Sequence, residues 1–177
     1  PDIWIHYRKG FSFGTTTNAF RSDVNYDYLG LSIRENYISM GLVGYSEVNV
    51  KGGIFLNAEK LYFQDYQHFN GNQLEVANTS KYMSSFMMLP YYEYSTKKAN
   101  LQAHYQHHFQ GYIFDKLPLI RKLGFTEVLG ASFLYTPDQK DYLELSFGID
   151  NIGFKLFRFL RFDVVTSFKE GKYDDLG

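Results

Sequence analysis

The side chains best equipped for chemistry in this sequence are its histidines and carboxylates. The tightest group is His104-Tyr105-Gln106-His107-His108. On a strand, His104 and His108 share a face but stand about 13 Å apart at about 3.3 Å per residue, and His107 points the other way. Zinc holds nitrogen at about 2.0–2.1 Å, so no two of the three can share an ion unaided. They read as polar lining plus one interfacial histidine, and His68 in DYQHFNGN as a loop hydrogen-bonder. The carboxylates Glu93, Glu127, Glu144, Asp150 and Asp163 are scattered; Glu144 and Asp163 are expected to pair with Arg161 or Lys155 rather than form a glycosidase-like couple. Ser84-Ser85 shows no nucleophile–base spacing. Gly52-Gly53 and Gly41-x-x-Gly44 do not fit the phosphate-loop pattern, and Gly44, Gly130 and Gly148 are expected to mark bulges or kinks. No catalytic, metal or cofactor site can be assembled, so the reading is a protein that is not an enzyme.

The elements that would carry these residues are strands. Period-two alternation recurs along the chain and helical periodicity is scarce. In LQAHYQHHFQG, Leu101, Ala103, Tyr105, His107 and Phe109 fall on one face, and Gln102, His104, Gln106, His108 and Gln110 on the other. In YLELSFGID, Leu143, Leu145, Phe147 and Ile149 oppose Glu144, Ser146, Gly148 and Asp150. In LRFDVVTSF, Leu160, Phe162, Val164, Thr166 and Phe168 oppose Arg161, Asp163, Val165, Ser167 and Lys169. Further strands are expected around Ile3–Tyr7, Phe20–Arg34, Tyr37–Val50, residues 54–67 and residues 82–94, the last with Pro90 at a bulge or weakly paired site. This makes about eight or nine strands, several of about 10 to 14 residues, against about 5 or 6 for strands of soluble domains and about 9 to 11 for tilted membrane-spanning ones. Thr96-Lys97-Lys98 and Pro137-Asp138-Gln139-Lys140 read as tight turns at one end of the sheet. DKLPLIRKLGF, with Lys116, Leu117, Pro118 and Arg121, and NIGFKLFRFL read as two short helices on the opposite rim.

Composition narrows the class. Aromatics make up 19% of the 177 residues, with 16 Tyr and 17 Phe against one Trp, and the hydrophobic share is 45%. The mean hydropathy is nevertheless −0.32. No run reaches the roughly 18 apolar residues of a spanning helix, and a chain this rich in Tyr, Phe, Leu and Ile is not disordered. Strands greasy on one face and wet on the other give this mixture. The net charge of −1 excludes the basic surface of a nucleic-acid binder, and the absence of cysteine excludes disulfides and thiolate chemistry.

Alternation by itself fits two architectures. A soluble sandwich or lipocalin-like cup turns its apolar face inward and binds a ligand; a membrane barrel turns it to lipid and lines its lumen with the polar face. Long strands, Tyr and Phe near strand ends, and an apolar face mixing Ala103, Ala131 and Thr166 with large residues favour lipid. In that reading Gln102, His104, Gln106, His108, Glu144, Arg161 and Asp163 line the lumen, and Leu101, Tyr105, Phe109, Leu143, Leu145, Phe147, Phe162 and Val164 face lipid.

HHFQGYIFDKLPLIRKLGFTEVLGASFLY and YLELSFGIDNIGFKLFRFLRFDVV resemble the C-terminal barrel of an uncharacterised family of Gram-negative outer-membrane proteins. DYQHFNGNQ, LPYYEYST and the opening PDIWIHYRKG extend the likeness over nearly the whole chain. The resemblance implies an antiparallel transmembrane β-barrel in the bacterial outer membrane, preceded by a carboxypeptidase-regulatory-like domain. It also implies a general design like that of outer-membrane assembly and two-partner secretion translocases, with about 16 strands. Residues 1–177 are then the C-terminal part of one barrel domain, with its final strand expected beyond Gly177. The expected role is transport, assembly or surface scaffolding, and the expected partners are outer-membrane lipid, the outer-membrane assembly machinery and other envelope proteins. The Val-Arg-Gly-Phe/Tyr signature of those translocases is matched only superficially, by Arg8-Lys9-Gly10-Phe11.

Overall fold

Alternating large apolar and polar residues commit most of the chain to extended backbone. The structure, a computed structural model, describes residues 1–13, 23–72, 79–112, 114–116, 118, 121–154 and 157–176. It contains eight strands: β1 (Asp2–Gly10), β2 (Asn25–Ser39), β3 (Tyr45–Lys60), β4 (Ala99–His108), β5 (Thr126–Thr136), β6 (Lys140–Phe154), β7 (Phe157–Lys169) and β8 (Lys172–Leu176). They form one sheet in chain order, every neighbour antiparallel. β2, β3 and β6 run 15, 16 and 15 residues, two to three times the usual strand of a soluble domain. β1 and β8 are the two edges, and among the described residues they do not pair, so the sheet is open.

The register carries each face across the sheet. One paired row runs Ile3, Ile33, Val50, Ala103, Phe133, Leu143, Phe168; the next runs Val48, Tyr105, Ala131, Leu145, Thr166. Their side chains share the outward face, where Leu31, Leu101, Leu129, Leu145 (42%), Phe147 (41%) and Phe162 (62%) are exposed. The opposite face carries the rows Ser32, Lys51, Gln102, Leu134, Tyr142 and Arg34, Asn49, His104, Ser132, Glu144, Ser167. Here polar side chains are buried: His104 is 1% and Glu144 2% exposed. Burial is inverted relative to a water-soluble sandwich, in which the apolar rows meet in the middle.

Several boundaries depart from those expected. Tyr37–Val50 and residues 54–67 are not separate strands; β2 ends at Ser39, a 3-10 turn spans Gly41–Val43, and β3 runs unbroken from Tyr45 to Lys60. Gly44 lies at that turn with φ 107°, where a Cβ would run into the His108 carbonyl, so it permits a close approach rather than a bulge. Gly130 and Gly148 sit in unbroken register opposite Ser146 and Asp163, so they are not bulges either. Residues 82–94 form no strand; they belong to the long β3–β4 connection, and Pro90 lies in it as a non-sheet residue. Thr96-Lys97-Lys98 is therefore the end of that connection, whereas Pro137–Gln139 does close the β5–β6 hairpin.

The two rim helices are also corrected. Among the described residues the first segment holds only 3-10 turns at Phe114–Lys116 and Arg121–Leu123; Leu117 lies outside the described residues. The described residues of the second are not helical: 151–154 end β6 and 157–160 open β7. Two register shifts, near Asn151 at φ 62° and Gly153 at φ 152°, insert one extra residue into β6 between Ile149 and Ile152 and one into β7 between Arg158 and Leu160. A bulge advances the alternation out of phase, which makes a strand's apolar spacing imitate a helix.

Candidate functional site

The polar face is covered by the molecule's own chain. In its described parts, residues 61–72 and 79–98, the β3–β4 connection lies against that face, making 3-10 turns at Phe63–Asp65 and Thr79–Ser84. It is folded in itself: Gln67 and Thr96 form a bridge, the Phe86 N–H donates to the Asn70 carbonyl at 2.8 Å, and the Asn72 N–H donates to the Leu89 carbonyl at 3.1 Å. His68 hydrogen-bonds Ser95 at 2.8 Å within it. A compact connection of this length is a functional candidate, because backbone rarely folds over a sheet without a reason.

Its apolar residues explain why it stays there. Phe69, Phe86, Leu89 and Tyr94 form one buried cluster with Leu134 of β5 and Tyr142 of β6. Phe86 is the centre of it, with its ring 4.7 Å from His104 and 5.9 Å from Tyr142. These contacts remove Phe69, Phe86, Leu89 and Tyr94 from water, at about 25 cal/mol per Å².

Polar keys fix its position. Both Glu144 oxygens accept backbone N–H groups of the connection, Oε2 from Met87 at 2.7 Å and Oε1 from Met88 at 2.8 Å. Oε1 also accepts the Tyr142 hydroxyl at 2.7 Å. Among the described residues no cation is paired with this carboxylate, and three charge-assisted hydrogen bonds offset its loss of water. On β7 the Arg161 guanidinium grips Asp163 through Nε and Nη2 at 2.7–3.0 Å, and both side chains are nearly buried. Tyr82 lies over that guanidinium at 4.2 Å and donates its hydroxyl to Asp163 at 3.2 Å. Burial, with the Asp163 carboxylate beside it, pushes the Tyr82 phenol up to about 12. Burial, with Glu93 nearby, does the same to Tyr94. Both therefore remain neutral donors at any physiological pH. The Asn49 amide donates to the Met83 carbonyl, and Lys169 reaches Glu93 at 3.2 Å.

The described residues among those singled out in the sequence each have a definite place. Gln102, His104 and Gln106 lie on the covered polar face; His104 bonds Ser132 and stands 2.9 Å from the Gln102 amide. His108, on the same face, stacks on Tyr45 at 4.6 Å. Glu144, Arg161 and Asp163 are brought to the connection as described, but Glu144 takes backbone N–H groups instead of an ion pair, and Lys155 lies outside the described residues. Leu101, Tyr105, Leu145, Phe147, Phe162 and Val164 are exposed on the outward face; Leu143 is there half-buried, in a shallow groove with Phe133 and Phe168. Phe109 follows β4, half-buried, with its ring against His107. Lys116 stands over the Tyr112 ring at 4.0 Å, and Pro118 and Arg121 are exposed. Among the described residues no group of His, Asp and Glu is arranged to hold a metal. Sequence reasoning missed Tyr82, Phe86, Met87, Met88 and Leu89. Their signal was an apolar run, Phe86-Met87-Met88-Leu89, too irregular for alternation and ended by Pro90.

The arrangement defines a class, an all-β antiparallel meander with its polar face capped by its own β3–β4 connection. Within that class, residues 1–149 match the family model described as a family of unknown function (DUF5686), C-terminal domain, and the chain belongs to this family. No curated protein and no solved structure matches it.

Proposed function

We propose that the chain is part of the wall of an integral bacterial outer-membrane β-barrel, with a non-catalytic role in transport, assembly or surface scaffolding. The carrying observation is the inverted burial: a continuous exposed apolar face backed by a covered polar one. A lipocalin-like cup would enclose Leu145 and Phe147 and leave Gln102, His104 and Gln106 wet. The resemblance adds the expectation of further strands and of a carboxypeptidase-regulatory-like domain in the whole protein.

Charge placement supports the same reading. On the outward face Glu35 and Glu127 bound an uncharged stretch at one end of the sheet, and Asp27 and Asp141 bound it at the other. From Asp27 to Glu35 is about 26 Å of strand at about 3.3 Å per residue, or roughly 20 Å of height at a tilt of about 40°, a little under the apolar band of about 25 Å on outer-membrane barrels. These borders do not follow one paired row. Glu35 aligns through Val48 and Tyr105 with Ala131, four residues along β5 from Glu127. That is a drift of about 13 Å across three strand spacings of about 4.8 Å, a tilt of about 40°. Asp141 aligns through Tyr135, Leu101 and Gly52 with Leu31, four residues from Asp27 in the same sense. Spread over four spacings, this gives about 35°. Spanning strands tilt by about 35–45°. A band drawn perpendicular to a membrane normal would cross the strands at such an angle.

Leu145 and Ser146 are neighbours on opposite faces and test the reading. A mid-band arginine on the lipid face costs about 2–4 kcal/mol, whereas a lumen position tolerates it. L145R should abolish the fast-migrating folded form on unheated gels from outer membranes, and S146R should retain it. Equal accumulation of both folded variants would refute the assignment of faces.

A further inference from the structure

We propose that the β3–β4 connection, through residues 63–72 and 79–96, is a built-in plug that keeps the polar side of this wall closed in the resting protein, with Glu144 as its latch. The proposal rests on the barrel reading above and deepens it, since it distinguishes a closed, gated barrel from an open diffusion pore.

The plug is held by two kinds of contact with different reach. Its apolar anchor is small: Phe69, Phe86, Leu89 and Tyr94 meet only Leu134 and Tyr142 on the sheet side of the cluster. Beside it, and beside the packing of Phe86 on His104, stand polar contacts. Glu144 clamps two successive backbone N–H groups, Asn49 takes the Met83 carbonyl, and the Arg161–Asp163 pair takes Tyr82. All three sheet-side groups point from the polar face, on β6, β3 and β7, so the plug spans from β3 to β7. The clamp reads backbone, and its donors are fixed N–H groups that need no ionisable partner on the plug. Such a contact releases without leaving a buried cation behind, because water replaces the N–H donors at the carboxylate. A plug fixed for good by hydrophobic packing would not need a bare carboxylate at its centre. The geometry fits a segment that docks tightly and can leave.

The full-length protein reconstituted in planar bilayers tests this. Wild type should be mostly closed. E144Q keeps the size of the side chain but turns an NH₂ toward one of the two N–H donors. It should raise the open fraction by about tenfold or more, since each charge-assisted bond lost shifts docking by that order. F86A, which leaves Glu144 intact and empties the apolar anchor, should open the barrel as well, so the test does not depend on either variant alone. Wild type that conducts steadily, or inserted variants that conduct no more than wild type, overturns the plug. If wild type never inserts as a heat-modifiable species, the barrel reading fails, and the plug with it; insertion with steady conductance sinks the plug alone.

Discussion

The chain's two long described connections, β3–β4 and β4–β5, solve one problem in opposite ways. Each is tied down by a strand carboxylate that accepts a backbone N–H. Glu144 takes Met87 and Met88 of the first, and Glu127 takes Phe114 of the second at 2.5 Å. The first buries four large apolar residues against the polar face while Phe63, Tyr91 and Tyr92 stay exposed. The second keeps Tyr112, Lys116, Pro118, Arg121 and Leu123 in the open, and among the described residues one oxygen of Glu127 is left buried without a partner. The difference teaches that a buried carboxylate anchors a segment firmly only when apolar burial accompanies it and every oxygen is satisfied.

That contrast can be broken at several points. F86A should have the largest effect, about 3–5 kcal/mol, since it empties the centre of the cluster. Limited proteolysis in detergent should then cut between residues 79 and 96, and unchanged resistance would mean that packing does not hold the connection. E127Q should cost little, within about 1 kcal/mol, because neutralising a carboxylate with one unsatisfied buried oxygen offsets the weakened bond from Phe114. A loss in urea unfolding as large as that of F86A would erase the asymmetry argued above. The smallest effect concerns Asp23, which precedes β2. Hydrogen bonds from Lys60 and then Tyr62 hold its carboxyl below the ordinary value of 3.8. A depressed carboxyl contributes stability that is complete above the ordinary value and is lost as pH falls through the lowered one. D23N should therefore lower stability slightly at neutral pH and leave it unchanged at acid pH, which flattens the acid limb of the profile. A deficit that persists at acid pH, once the wild-type carboxyl is protonated, would point to packing instead of charge.

Much of the sheet was legible in the sequence, for physical reasons that differ from strand to strand. β4, the first part of β6 and β7 alternate cleanly because each has one face toward water or apolar surroundings and the other toward polar partners. β2 and β3 were misdivided because Glu35-Asn36 resembles a break but lies at a register shift inside β2. The true turn, Met40-Gly41-Leu42-Val43-Gly44, has glycines at positive φ but no polar turn residue, and its apolar side chains read as strand. The end of β6 imitated a helix through its bulge. The covered face was harder to read. Gln102, His104 and Gln106 announce a polar face, but nothing local says that a segment some twenty residues upstream in sequence will cover it. Glu144 shows why: its partners are backbone N–H groups, which every residue but proline possesses, so the pairing leaves no mark on residue type.

Tyr28 has a consequence for assembly. Its ring crosses β3 toward β4, where the Asn100 amide donates to its hydroxyl at 3.3 Å, and it passes over Gly53, where any Cβ would strike it. Among Asn49, Lys51, Gly53 and Phe55, which β3 presents on that face, Gly53 provides the opening. Sliding β3 by two positions would bring Lys51 or Phe55 under the phenol and lock it out. The aromatic strap thus proofreads the alignment of three strands while they zip together, and a methyl group at residue 53 would jam it.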